Sequence, residues 1–138
     1  MTTSYLAQLE EGMLHHCILQ IFRSQEAIMV KVEKSGKPIA FGEGSNLSIA
    51  LQRANVAYLK LFDKYAAQIA RYDLTITNSN KSGNLTTFIK NGGRLYIERK
   101  GFFSTLIATA SDWEGNIVCE ISAPNLASLL SNLVYSLN

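Results

Sequence analysis

The sequence predicts an α+β protein built as a tandem pseudo-repeat of two αβββα units, each an antiparallel three-stranded sheet with helices on one face. Residues 17–51 can be laid over residues 96–130 without a gap, at a fixed offset of 79 residues. This overlay places Ile18 on Ile97 and Ile28 on Ile107. Both stretches give the same order of apolar runs, turns and helix starts, which chance matches seldom preserve together.

The offset divides the chain into two units joined by a linker. We expect the first unit over residues 1–72, the linker over residues 73–83 and the second unit over residues 84–138. The linker is rich in Asn, Ser and Thr, which are typical of connecting segments. A chain of 138 residues is large enough for one core. We therefore expect the two units to pack as one compact body.

Each unit is predicted to open with a short amphipathic helix. Apolar residues three apart mark the two helices, at Leu6 and Leu9 and at Leu85 and Phe88. Glycines are expected to end them, because glycine readily adopts the conformation that follows a helix. These glycines are Gly12 and the pair in Asn91-Gly92-Gly93.

Three strands are predicted to follow in each unit. They are Cys17–Phe22, Ala27–Glu33 and Ile39–Gly42 in the first unit and Leu95–Lys100, Ser104–Asp112 and Ile117–Ile121 in the second. The first two strands form a hairpin, and a tight turn at Gly36 or Gly115 leads into the third. Glycine suits such a turn because it tolerates positive φ.

The closing helices are predicted from continuous apolar stripes. The stripe residues are Leu126, Leu129, Leu130, Leu133, Val134 and Leu137 in the second unit and Leu47, Ala50, Leu51, Ala54, Tyr58 and Leu61 in the first. Pro124 lies where the first turn of a helix accepts proline. We expect Ser45 to cap the first of these helices, which the apolar period would carry to about Arg71.

Composition favours a folded protein with weak overall charge. The chain is 47% hydrophobic and only 17% charged, and 13 basic against 11 acidic residues give a net charge of +2. Nucleic-acid binders usually carry more positive charge. The N-terminus does not have the pattern of a secretory signal, and no apolar run reaches membrane-spanning length. We therefore expect a cytoplasmic protein without membrane contact, in which Cys17 and Cys119 are reduced thiols.

One stretch resembles part of a known nucleic-acid-binding family. Residues Ile28–Phe62 resemble the C-terminal half of the double-stranded RNA-binding domain, whose element order is also αβββα. The matching positions are Gly42 and Gly44 before the helix and Ala50, Ala54, Leu59 and Phe62 along it. Proteins of that family contact RNA phosphates through lysines at the start of this helix. This chain has Leu47, Ser48 and Leu51 at the matching positions. The resemblance therefore implies the αβββα fold. It does not identify any residue of this chain as an RNA contact.

A segment in the second unit mixes basic and aromatic residues, as single-strand-binding surfaces do. The predicted nucleic-acid contacts, for RNA or single-stranded DNA, are Lys90, Arg94, Tyr96, Arg99 and Lys100. The alternative interpretation is that the charges lie on a solvated strand face while the aromatic rings pack inside.

Large aromatic residues suggest instead a surface that binds protein. The predicted contacts are Phe102 and Phe103 on the second hairpin and Tyr58, Phe62 and Tyr65 on the long helix. The alternative is that they pack between the two units. High apolar content, low charge and open sheet edges favour protein contacts over nucleic acid.

The sequence does not predict an enzyme, a cofactor or a metal site. Adjacent residues on a strand point in opposite directions, so His15 and His16 cannot easily share a metal. Cys119 aligns with Ala40 and is interpreted as a buried thiol. The leading hypothesis is a small non-enzymatic module for protein interaction, scaffolding or regulation, whose partner is another protein or a second copy in a homodimer. Nucleic acid is the second hypothesis.

Overall fold

The computed structural model describes residues 5–13, 17–65, 67–68, 80–99 and 105–137. The main helices within these ranges are α1 (Tyr5–Met13), α2 (Leu47–Phe62), α3 (Asn80–Lys90) and α4 (Leu126–Ser136). The strands are β1 (Cys17–Ser24), β2 (Ala27–Lys34), β3 (Lys37–Gly44), β4 (Arg94–Arg99), β5 (Leu106–Ser111) and β6 (Ile117–Ala123). The predicted α+β class is confirmed. Helix α3 begins at Asn80, inside the segment predicted as linker.

The described strands form one antiparallel sheet in the order β3-β2-β1-β4-β5-β6. Its centre is the pairing of β1 with β4, in which Leu19 lies opposite Ile97 and Ile21 opposite Leu95. The prediction of three-stranded sheets was wrong, because the first strand of one half pairs with the first strand of the other. This pairing satisfies main-chain groups that a three-stranded sheet would leave free at its edge. Strands β3 and β6 remain at the two edges of the sheet.

One face of the sheet carries the helices. Helix α2 packs on β2 and β3, α4 on β5 and β6, and α1 and α3 on the central strands. Alternate strand residues are buried beneath them, as the two-residue period of a strand requires. The largest fully buried side chains are Leu19, Ile21, Ile28, Leu47, Leu51, Leu85, Ile89, Leu95, Ile97, Leu106 and Leu126. The opposite face has no described helix on it, and we call it the open sheet face.

The fixed offset of 79 residues fails in the first two strands of each half. Ile28 is buried beneath the helices, whereas Ile107 lies on the open sheet face. Ile97 is buried beneath the helices, whereas Ile18 lies on the open sheet face. Buried Leu19 and Ile21 instead occupy positions like those of Leu95 and Ile97. An odd change of register moves a side chain to the other face of a sheet, so the overlays of Ile18 on Ile97 and of Ile28 on Ile107 were wrong.

The two closing helices begin at asparagine caps. The Asn46 side chain accepts a hydrogen bond from the Ile49 N–H at 2.9 Å, and Asn125 accepts one from the Ser128 N–H at 2.8 Å. Asn46, and not the predicted Ser45, is therefore the N-cap of α2. At its other end α2 stops at Phe62, because Asp63 has extended backbone angles, so the helix does not run unbroken toward Arg71.

Each opening helix also caps the closing helix of the other half. Glu10 on α1 accepts a hydrogen bond from the Leu126 N–H at 2.6 Å, and the Thr86 hydroxyl on α3 accepts one from the Leu47 N–H at 3.1 Å. The first N–H groups of a helix have no partner within it, so both bonds satisfy groups that would otherwise need water. These reciprocal caps tie the two halves together.

Two glycines let α2 approach the sheet closely. A Cβ atom added to Gly42 would lie 2.1 Å from the Ala54 nitrogen and 2.2 Å from the Ala50 oxygen. At Gly44 the added atom would lie 2.7 Å from the Ile49 side chain. The glycines that carry the sequence resemblance therefore have a packing role in this protein, since no other residue fits beneath α2.

Candidate functional site

Cross-strand pairing arranges the open sheet face in three rows. The central row is Phe41, Lys31, Gln20, Tyr96, Thr109 and Glu120. The rows beside it are Glu33, Ile18, Glu98, Ile107 and Ser122 on one side and Glu43, Met29, Phe22, Arg94, Ser111 and Ile117 on the other. Large apolar side chains thus lie among charged and polar ones in all three rows.

A shallow pocket of about 420 Å³ lies at the centre of this face. Its lining comes from four adjacent strands and comprises Gln20, Ile21, Phe22, Lys31, Arg94, Leu95, Tyr96, Thr109 and Ser111. The lining contains two cations and two aromatic rings and has no acidic residue. Such a surface can hold a planar or apolar group beside an anionic one.

Lys31 is held at the side of the pocket by two contacts. Its Nζ lies 2.9 Å from the Glu33 carboxylate and 5.8 Å from the centre of the Phe22 ring. A partly exposed ion pair contributes at most about 1 kcal/mol, so its main effect is to orient the side chain. The pairing with Glu33 also offsets part of the positive charge that Lys31 brings to the pocket.

Tyr96 stands next to Gln20 in the central row and is 36% exposed. Burial raises the pKa of its phenol, and the nearby carboxylates of Glu98 and Glu33 raise it further. The phenol is therefore protonated at neutral pH and can donate a hydrogen bond to a bound group.

Carboxylates surround the cationic centre. The described acidic residues of the open sheet face are Glu33, Glu43, Glu98 and Glu120. Against these four stand only Lys31 and Arg94. The described part of the face thus has two more negative than positive charges.

The structure divides the residues predicted to contact nucleic acid. Arg94 and Tyr96 meet in the pocket. Arg99 lies opposite Leu106 on the helix-bearing face, where its Nε is buried without a hydrogen-bond partner among the described residues. Lys90 is exposed at the end of α3, and its backbone oxygen accepts a hydrogen bond from Arg23 at 3.1 Å. Lys100 lies outside the described residues.

The residues predicted to contact protein are likewise separated. Tyr58 is only 8% exposed and belongs to the core, so it is not available as a surface contact. Its ring packs at 4.8 Å from that of Phe62, which is exposed, as is Tyr65. Phe102 and Phe103 lie outside the described residues.

The other candidate groups do not form a reactive site in the part of the chain that the structure describes. Cys17 is buried and Cys119 half-buried, both are free, and burial raises the pKa of both thiols. No three described His, Cys, Asp or Glu side chains are grouped closely enough to hold a metal ion. None of the described helices has the length and apolarity needed to cross a membrane. His15 and His16 lie outside the described residues.

Of the residues that line the pocket, only Arg94 and Tyr96 were predicted from the sequence as site residues. Gln20, Lys31 and Thr109 are polar residues between buried apolar ones, so their outward direction was readable from strand alternation. That these three residues lie in one row could not be predicted from the sequence, because it depends on the pairing of β1 with β4. That pairing joins segments more than 70 residues apart.

Comparison of the chain with protein-family models, with curated proteins and with solved structures found no match.

Proposed function

We propose that the protein is a non-enzymatic interaction module, with a scaffolding or regulatory role, and that a protein partner binds its open sheet face. The observation that carries this proposal is the unequal covering of the sheet. The described helices pack on one face, while the other presents Ile18, Phe22, Met29, Tyr96 and Ile107 between polar side chains. A mixed apolar and polar surface of this kind is typical of protein interfaces that form and separate.

The size of the face supports the same function. Its three rows hold five or six residues each. Stable protein interfaces use about 20–30 residues on each side, so a partner covering the face and its rim would make a contact of ordinary size.

The charge of the face favours a protein with basic residues as the partner. Glu33, Glu43, Glu98 and Glu120 outnumber the two cations. Nucleic-acid affinity comes mainly from Lys and Arg contacts with phosphates, and these carboxylates would oppose it. Lysine or arginine side chains of a protein could instead pair with the outer carboxylates while apolar groups fill the pocket.

A single-stranded nucleic acid is the second candidate, and the pocket lining supports it. Phe22 and Tyr96 could stack on bases while Arg94 and Lys31 contact phosphates. This function uses only two of the five nucleic-acid contacts predicted from the sequence.

We also propose that the two halves are a diverged pseudo-repeat. From the tight turns onward, special backbone features recur at an offset of 79 residues. These are Gly36 and Gly115 with positive φ, Ile39 and Val118 as the extra residue of a strand irregularity, and Asn46 and Asn125 as helix caps. If the two halves are copies of one unit, each opening helix is expected to cap the closing helix of the other half, as α1 and α3 do.

The binding proposal can be tested by comparing two charge variants as baits. Tyr96→Glu places a charge at the centre of the open sheet face, and Lys60→Glu is the control on the exposed side of α2. We expect wild-type protein and Lys60→Glu to capture the same partner from the source cell. The affinity of the purified partner for Tyr96→Glu, measured by calorimetry, should be at least about 30-fold weaker, as for a central interface residue.

Two results would contradict the proposal. Equal affinity of the partner for wild type and Tyr96→Glu would place the interface elsewhere. Binding of a labelled single-stranded oligonucleotide that weakens steeply with salt, and that Arg94→Glu abolishes, would favour the second candidate instead.

A further inference from the structure

The two edges of the sheet differ in how well they are protected. Strand β3 begins with Lys37 and Pro38 and has an extra residue, Ile39, beside them. Lysine, proline and irregular pairing are the features by which proteins prevent an edge from pairing with another chain. Strand β6 has its extra residue at Val118 but no lysine or proline along its length.

Apolar side chains are exposed along the β6 edge. Ile117 is 68% and Val118 50% exposed, and Trp113 in the preceding turn is 73% exposed. An exposed apolar edge strand in a folded protein indicates either an interface or a risk of aggregation.

The element that follows β6 extends this uncharged surface. Helix α4 packs back on β6 and β5, has no charged residue and exposes Tyr135 at 81%. Across β6 and α4, residues 117–136, the only charged residue is Glu120, although 17% of the whole chain is charged. Depletion of charge together with exposed aromatic residues is the composition that marks interface centres.

We propose that β6 pairs in an antiparallel manner with β6 of a second copy, so that two molecules form a homodimer with one continuous sheet of twelve strands. The unpaired main-chain groups of an edge strand select an extended strand as the occupant. A two-fold axis brings identical edges together and closes the assembly at two copies, whereas pairing of β6 with the protected β3 would give an open fibre.

The available area is adequate for such a dimer. The exposed parts of Trp113 and Tyr135 would bury roughly 300 Å² of side chain per copy. Ile117 and Val118 would add roughly 150 Å². This is already more than half of the about 800 Å² per partner of a standard interface, before the main chain of β6 is counted. Of the open sheet face the dimer covers only the margin at Ile117 and leaves the central pocket free, so it does not compete with a partner bound at the pocket.

Light scattering coupled to size-exclusion chromatography tests the dimer with two lysine variants. Val118→Lys places a charge on the β6 edge, and Phe41→Lys is the matched control on the β3 edge, where Phe41 is also about half-exposed. We expect wild type and Phe41→Lys to have twice the chain mass of 15.3 kDa, and Val118→Lys to have the mass of a single chain. Far-UV circular dichroism checks that each variant is folded.

Amide hydrogen exchange of the wild type gives a second readout that needs no variant. Amides of β6 should exchange about tenfold more slowly at high protein concentration than after dilution, while amides of β3 should not change. A wild-type mass of one chain at about 100 μM would overturn the proposal. A folded Val118→Lys protein that stays dimeric, or β6 exchange that does not depend on concentration, would also overturn it.

Discussion

Replacing Gly42 by alanine should destabilise the protein strongly, although it adds only one methyl group. The added Cβ would lie 2.1 Å from the Ala54 nitrogen and 2.2 Å from the Ala50 oxygen, both of which belong to the backbone of α2. A flexible side chain could rotate away, but these atoms can move only if the helix shifts. Overpacking a core typically costs about 1–3 kcal/mol. Because the clash is with backbone atoms on two successive turns of α2, we expect Gly42→Ala to lower the free energy of unfolding by at least about 3 kcal/mol.

The assay is urea unfolding followed by the helical signal in far-UV circular dichroism, which gives the free energy of unfolding in water. The control is Gly36→Asn in the β2–β3 turn. Gly36 has φ +79°, which asparagine tolerates, and an added Cβ would have no atom within 4 Å. We expect this control to cost less than about 1 kcal/mol. If the free energy of unfolding of Gly42→Ala lies within about 0.5 kcal/mol of the wild-type value, the close contact between α2 and β3 is not as described.

Further predictions concern the helix caps and the buried thiol. Asn46→Ala and Asn125→Ala should each lower the free energy of unfolding by about 1 kcal/mol in the same urea assay, and unchanged midpoints would argue against these caps. Glu10→Ala and Thr86→Ala should each cost about 1–2 kcal/mol, because each leaves a helix N–H without its partner from the other half; a loss confined to one of them would show that the capping is not reciprocal. Burial raises the pKa of Cys17 above its ordinary 9.0, so the unfolded state loses this proton first as pH rises. Stability should therefore fall above about pH 9, and the fall should be smaller in Cys17→Ser; a rise in unfolding free energy over that range would contradict the assignment.

Most helices, strands and turns could be predicted from the sequence, because each depends on a pattern of residues close together in the chain. The apolar stripe from Leu126 to Leu137 marks α4, and Gly36 and Gly115 mark turns in which both have positive φ. The N-cap of α2 was misplaced by one residue, since Ser45 and Asn46 are both good capping residues and only the backbone conformation distinguishes them.

The sheet could not be predicted because its centre joins distant segments. The pairing of Leu19 with Ile97 depends on how the two halves meet, and an ungapped overlay cannot reveal that. The same pairing decides the candidate site, since it brings Gln20 beside Tyr96. Strand alternation also separates Arg94 from Arg99, which the sequence placed in one basic segment.

The central claim is that a protein partner covers the open sheet face, and photo-crosslinking in the source cell tests it most directly. A benzophenone amino acid replaces Tyr96 in the central row or, as the control, Lys60 on the exposed side of α2. We predict that position 96 forms a crosslink to one protein, identified by mass spectrometry, and that position 60 does not. Equal crosslinking from both positions, or crosslinking of position 96 to nucleic acid alone, would contradict the claim.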